Sequence, residues 1–233
     1  MWKTVFFSFL LIGIISCEKT FTGKEIVAQS IEAHGFSTQL DQLFYKKKTQ
    51  LFNADGSLEK TLLQKHAVEW NPFAYTIEQN TPKGNQISHF QNSTYFLSTA
   101  GEEDHSSEGS AKAKEAIRTA YYVFWQPAKL NDSNAVMKYL GQRKIQGEKL
   151  AQAVQVSYPG SDSSDEWIFY FDPKTHLNIG YSVRHNERWS LIVNDSFHLD
   201  HQPILVNKRR SFFVDSLKNT TTLRAAYTYT LQP

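Results

Sequence analysis

Thr221-Thr222-Leu223-Arg224-Ala225-Ala226-Tyr227-Thr228-Tyr229-Thr230-Leu231 decides the fold. Leu223, Ala225, Tyr227, Tyr229 and Leu231 fall on one side of an extended chain; Arg224, Ala226, Thr228 and Thr230 fall on the other. Successive side chains point to opposite faces in a β-strand, so a period of two over this length predicts a strand with one buried face. Working back from it, the same reading predicts strands over residues 204–214, 188–197, 177–184, 165–171, 150–158 and 137–146. Asp172-Pro173-Lys174-Thr175 makes a turn between two of them. In 165–171 both faces are apolar, with Trp167, Phe169 and Phe171 one way and Ile168 and Tyr170 the other. One face is free to pack under a helix while the other lines a cavity or a second layer.

The first half repeats the pattern. Leu43, Tyr45, Thr49 and Leu51 alternate with Lys46, Lys48 and Gln50, and Asn53-Ala54-Asp55-Gly56 carries the Asp-Gly hairpin signal before a return strand over 62–70. Strands at 73–79, 86–91 and 94–99 follow, separated by turns at Thr81-Pro82-Lys83-Gly84 and Asn92-Ser93. About eleven strands with short connections make an antiparallel meander. A meander of that length curls over its own apolar face as a barrel or half-barrel.

Two helices interrupt the strands. Residues 24–34 present Ile26, Val27, Ser30 and Ile31 on one face, with Gly35 placed to end the helix at positive φ. A second helix begins near Ser110, shows Ala113, Ile117, Ala120, Tyr121 and Phe124 at spacings of three and four, and stops before Pro127. A short helical turn is expected at Asn131 or Ser133, and the wholly polar stretch 101–109 reads as a mobile loop.

At the N-terminus, Lys3 precedes an apolar run over residues 5–15 that is too short to span a bilayer, and Ser16-Cys17 follows. This predicts an export signal over residues 1–16. Ile14-Ile15-Ser16-Cys17 resembles the bacterial lipobox, which implies lipidation of Cys17, the only cysteine, with a tether over 17–23 and a single domain over 24–233. No disulfide is then available, so packing must supply stability. The formal charge of +2 falls to +1 once Lys3 is removed, and both signs are interspersed, which speaks against a nucleic-acid partner. Lys46-Lys47-Lys48 and Lys208-Arg209-Arg210 read as solvated strand faces.

The run Lys24-Glu25-Ile26-Val27-Ala28-Gln29-Ser30-Ile31-Glu32-Ala33-His34-Gly35 resembles the first helix of LolA/LolB-like outer-membrane lipoprotein-sorting proteins and their lipoprotein relatives in Bacteroidota. Gly147-Glu148-Lys149 leading to Val154-Gln155-Val156, and Trp167 to Thr175 leading into the next strand, carry the same resemblance. It is closest to a Bacteroidota lipoprotein family with no assigned biochemistry. The resemblance implies an α+β fold: a curved antiparallel sheet forming an unclosed half-barrel, plugged by two or three helices around an apolar cavity. It transfers no functional residue.

Chemical motifs are sparse. His198-Leu199-Asp200-His201, with His185 from a neighbouring strand, is the best metal candidate, but His198 and His201 diverge on a strand, so no metal or other cofactor is expected. Glu102-Glu103-Asp104-His105 lacks the alternating ligands of a calcium loop, and Asp165-Glu166 point to opposite faces. No nucleophile elbow, metalloprotease helix or phosphate loop occurs, so no enzyme is predicted. Tyr121, Phe124, Trp125, Trp167, Phe169, Tyr227 and Tyr229 are the candidates to line a ligand cavity. Asp215-Ser216-Leu217 resembles a short O-glycosylation pattern. The expectation is a monomeric envelope lipoprotein, anchored on the periplasmic side of the outer membrane, that handles a lipid, acyl chain or lipoprotein. The alternative is a structural or protein-binding component with a filled core.

Overall fold

A computed structural model describes residues 21–37, 40–145, 147, 149–159, 165–215 and 220–233. Cys17, the export signal and Ser216 lie outside them. Helix α1 (Gly23–His34) starts at a reciprocal cap: Thr22 Oγ1 accepts from the Glu25 N–H at 3.2 Å, and Glu25 Oε2 accepts from the Thr22 N–H at 2.8 Å. It ends as expected on Gly35, at φ 71°.

Strands β1 (Gln42–Phe52), β2 (Leu58–Trp70), β3 (Phe73–Thr81), β4 (Gly84–Gln91), β5 (Thr94–Thr99) and β6 (Glu102–Asp104) form a first meander. Helix α2 (Ser107–Phe124) and a 3-10 turn (Ala128–Leu130) follow. Strands β7 (Val136–Ile145), β8 (Lys149–Ser157), β9 (Glu166–Phe171), β10 (Asn178–His185), β11 (Arg188–His198), β12 (Leu205–Asp215) and β13 (Thr220–Gln232) form a second. The first and last strands pair antiparallel, Tyr45 opposite Leu231 and Lys47 opposite Tyr229, which fuses both meanders into one thirteen-stranded sheet. Its order runs from β6 through β1 and β13 to β7, leaving β6 and β7 as free edges, so the half-barrel is unclosed.

Thirteen strands replace the expected eleven or so, and the stretch 101–109 is not a loop. Glu102–Asp104 pairs with β5, and α2 already begins at Ser107, where Ser106 Oγ accepts from the Gly109 N–H at 3.1 Å. An exposed edge strand buries neither face, so its residues carry no alternation to detect. The helical turn lies at 128–130 rather than at Asn131 or Ser133, because it continues directly from the end of α2 through Pro127.

Three apolar clusters hold the sheet in shape. Ile26 and Val27 of α1 pack with Val154, Val156, Phe169 and Phe171 on the inner face. Ile117 and Phe124 of α2, with Trp125 just past its end, pack on Tyr45, Val68 and Tyr75. On the outer face of the second meander, Tyr170, Leu191, Val193 and Phe212 cover Ala151 and Ala153. Trp167, Phe169 and Phe171 therefore oppose Ile168 and Tyr170, as the doubly apolar stretch requires.

Candidate ligand-binding cavity

Between α2 and the inner sheet face lies a cavity of ≈ 630 Å³. Its apolar wall comes from Phe124 of α2 and from Ile77, Tyr181, Ile192, Tyr227 and Tyr229 of the sheet. A stack on one side gives it a rigid floor: the Tyr45 ring lies 4.3 Å from Phe124 and 4.4 Å from His66, within 11° of parallel in both cases. The Tyr45 and Tyr75 hydroxyls are 2.7 Å apart, and Tyr75 lies 3.0 Å from His66 Nδ1. Burial pushes both hydroxyls up and His66 down to about 3, so at neutral pH all three rings are uncharged.

Two cations share this wall. Arg209 is 2 % exposed; its Nε donates to Asn194 Oδ1 at 2.7 Å, and its terminal nitrogens reach the Val123 carbonyl of α2 at 3.4 Å. Lys47, half-buried, lies 5.5 Å from the Tyr227 ring centre. Burial, together with the Arg209 charge, pushes its ammonium down to about 8. Exposed Lys112, Glu115, Ala116 and Arg224 stand at the rim.

The two basic triplets were expected to be solvated faces, and that holds for only part of each. Lys46, Lys48 and Lys208 are exposed, and Arg210 pairs outward with Asp195 at 2.6 Å, but the middle residues Lys47 and Arg209 point into the cavity. The signal was present. In a strand, the centre of three consecutive cations must occupy the face opposite its neighbours.

The seven aromatic candidates separate into three places. Phe124, Tyr227 and Tyr229 line the main cavity. Tyr121 and Trp125 border a second hollow of ≈ 430 Å³ with Phe36, Leu40, Trp70 and Lys129. Trp167 and Phe169 pack in the cluster beneath α1. Tyr45, Tyr181, His66, Lys47 and Arg209 join the wall without having been singled out. Sequence gives the face each occupies but not which strands stand opposite α2.

The remaining polar motifs spend their groups locally. His198 Nε2 lies 2.9 Å from the Tyr229 carbonyl and His201 Nδ1 2.9 Å from the Pro203 carbonyl. His185 meets Asp165 at 2.7 Å, whereas Glu166 pairs with Arg184 at 3.1 Å. Among the described residues no group of three or more His, Cys, Asp or Glu side chains could hold a metal ion, and no helix is long and apolar enough to cross a membrane.

A model for a family of unknown function, DUF6503, matches residues 3–188. The chain belongs to that family. No curated protein matches this DUF6503 chain. Among solved structures, its fold is similar to a DUF1329 family protein from Desulfovibrio piger, at 9% identity and a TM-score of 0.56, with 91% of this chain and 92% of that one covered. A putative outer membrane lipoprotein-sorting protein domain from Vibrio parahaemolyticus matches at 11% identity and 0.53, over 91% and 90% of the two chains. A LolA superfamily protein from Nitrosomonas europaea matches at 8% identity and 0.52, over 92% and 93%. The DUF6503 chain thus has the LolA-like half-barrel fold.

Proposed function

We propose that this protein is a cell-envelope lipoprotein, anchored through an acylated Cys17, whose half-barrel binds an amphiphile by its apolar chain. The observation that carries the reading is the cavity under α2. Its ≈ 630 Å³ lies within the range of small-molecule sites, and its aromatic walls offer apolar contact area on rigid rings. The fold shared with a putative lipoprotein-sorting domain supports the same class of ligand. The lipobox-like Ile14-Ile15-Ser16-Cys17 supports the anchor and a place in the bacterial cell envelope, and Glu18-Lys19 after it, without an acidic run, favours the periplasmic side of the outer membrane. Only five residues separate Cys17 from Gly23, so an extended tether spans at most roughly 20 Å and keeps the domain at its membrane. Such a body handles a ligand at a fixed surface and does not shuttle between membranes.

Native mass spectrometry of the mature protein, extracted from its own host's membranes, tests both parts. The expected spectrum shows Cys17 as the first residue carrying fatty-acyl mass, together with a co-purifying lipid lost on collisional activation. A protein free of bound lipid overturns the cavity reading. An unmodified Cys17 overturns the anchor.

A further inference from the structure

Lys47, His66 and Arg209 line one cavity from strands β1, β2 and β12. A buried cation is costly unless an anion or several strong acceptors surround it. Among the described residues, neither Lys47 nor Arg209 forms an ion pair. Glu115, the carboxylate on the cavity wall, is exposed at the rim and pairs with neither. Arg209 satisfies Nε well at 2.7 Å, but its two terminal nitrogens, which carry four N–H donors, share one carbonyl at 3.4 Å and lie beside the Tyr229 hydroxyl. Its charge is therefore held in place by Asn194 and α2 without being neutralised. Lys47 keeps its charge at neutral pH, since its ammonium is pushed only to about 8.

His66 adds an independent sign. It is 3 % exposed, and its Nε2 has no hydrogen-bond partner. The contacts of Tyr45 with Tyr75 and of Tyr75 with His66 Nδ1 use every hydroxyl hydrogen only if Tyr45 donates to Tyr75 and Tyr75 donates to Nδ1. The imidazole proton then sits on Nε2 as a donor with nothing to donate to. Half-buried Lys47, buried Arg209 and buried His66 thus line one space in which no carboxylate pairs with either cation, the surroundings of an oxyanion.

We propose that the ligand carries an acidic head group, a carboxylate or phosphate, received by Lys47 and Arg209, while its chain lies along the aromatic wall. This rests on the lipid-binding reading and specifies the ligand's class.

The test uses the mature protein in nanodiscs of neutral phosphatidylcholine. Hexadecanoic acid and hexadecan-1-ol, each with a mid-chain diazirine, are photolysed with it, and labelled cavity peptides are quantified. The acid is expected to reach half-maximal labelling at a concentration about tenfold or more below the alcohol, the margin of a charge-assisted contact. Lys47→Met and Arg209→Met should each shrink that margin, read as the ratio of the acid and alcohol half-maximal concentrations within the same variant. Lys47→Met removes a partly buried charge and no hydrogen bond, so it serves where Arg209→Met fails to fold. Equal labelling by acid and alcohol overturns the head-group site but leaves the cavity reading standing. Labelling by neither overturns both. Inorganic phosphate, followed by ³¹P line broadening, distinguishes a free anion: broadening without acid labelling overturns a chain-borne head group.

Discussion

His34 is a single side chain that joins three elements. At the end of α1 it is 1 % exposed, with Nδ1 2.7 Å from the Ile204 carbonyl and Nε2 accepting the Asn178 N–H at 3.1 Å. Only the neutral ring protonated on Nδ1 satisfies both contacts, and burial pushes it down to about 4. His66 is likewise held neutral, pushed to about 3. In both, the folded state binds its proton less readily than the unfolded chain. Their stabilisation is therefore complete above pH 6.5 and lost as pH falls towards 4 and below. For His34 the full loss is about 3 kcal/mol. Urea unfolding at pH 7 and pH 5 should show the lower midpoint at pH 5, and ¹⁵N spectra at pH 5 should show His34 still neutral as the Nδ1–H tautomer. A normal titration near 6.5 would contradict this assignment. Sequence placed His34 on a helix end beside Gly35, but its partners are more than a hundred residues away, at 178 and 204, and no local pattern indicates them.

At the scale of elements, periodicity carried most of the information and failed where burial does not alternate. The strands at 43–51, 165–171 and 221–231 were legible because each buries a face. Glu102–Asp104 was not, since a polar edge strand is defined only by backbone hydrogen bonds. The middle cations of the two triplets follow from the same period, yet a run of three like charges reads as solvent-facing until the partner strands are known. Gly180 shows an element-level constraint of another kind. β10 passes so close to β11 that a Cβ at this position would collide with the Ile192 carbonyl, and φ is 148°, a conformation L-residues rarely adopt. Gly180→Ala should cost about 2 kcal/mol or more through this strain, measurable as a lower urea midpoint with the slope unchanged. Its effect on the cavity should be indirect, because Tyr181 and Ile192 flank the pinch and both line the wall.

For the whole molecule, pairing of β1 with β13 joins the two meanders and leaves β6 and β7 unpaired on their outer sides, so the half-barrel is not closed. A lipid bound only to the folded state should stabilise the protein by about 2.7 kcal/mol at a hundred times its Kd, raising Tm by roughly 5–10 °C for a domain of this size. Differential scanning calorimetry of delipidated and reloaded protein would show that shift, and unchanged melting would argue against lipid as the occupant of the cavity. The sequence by itself determined the strand-rich class, both helices, the face on which most side chains lie and the lipobox-like start, because alternation, capping and leader composition are local physics written within a few residues. Tertiary structure alone decided that Lys47, His66 and Arg209 meet around one space. They stand on three strands, and their approach depends on the registers of β1, β2, β13 and β12 and on where α2 comes to rest, which are set by packing across the whole sheet.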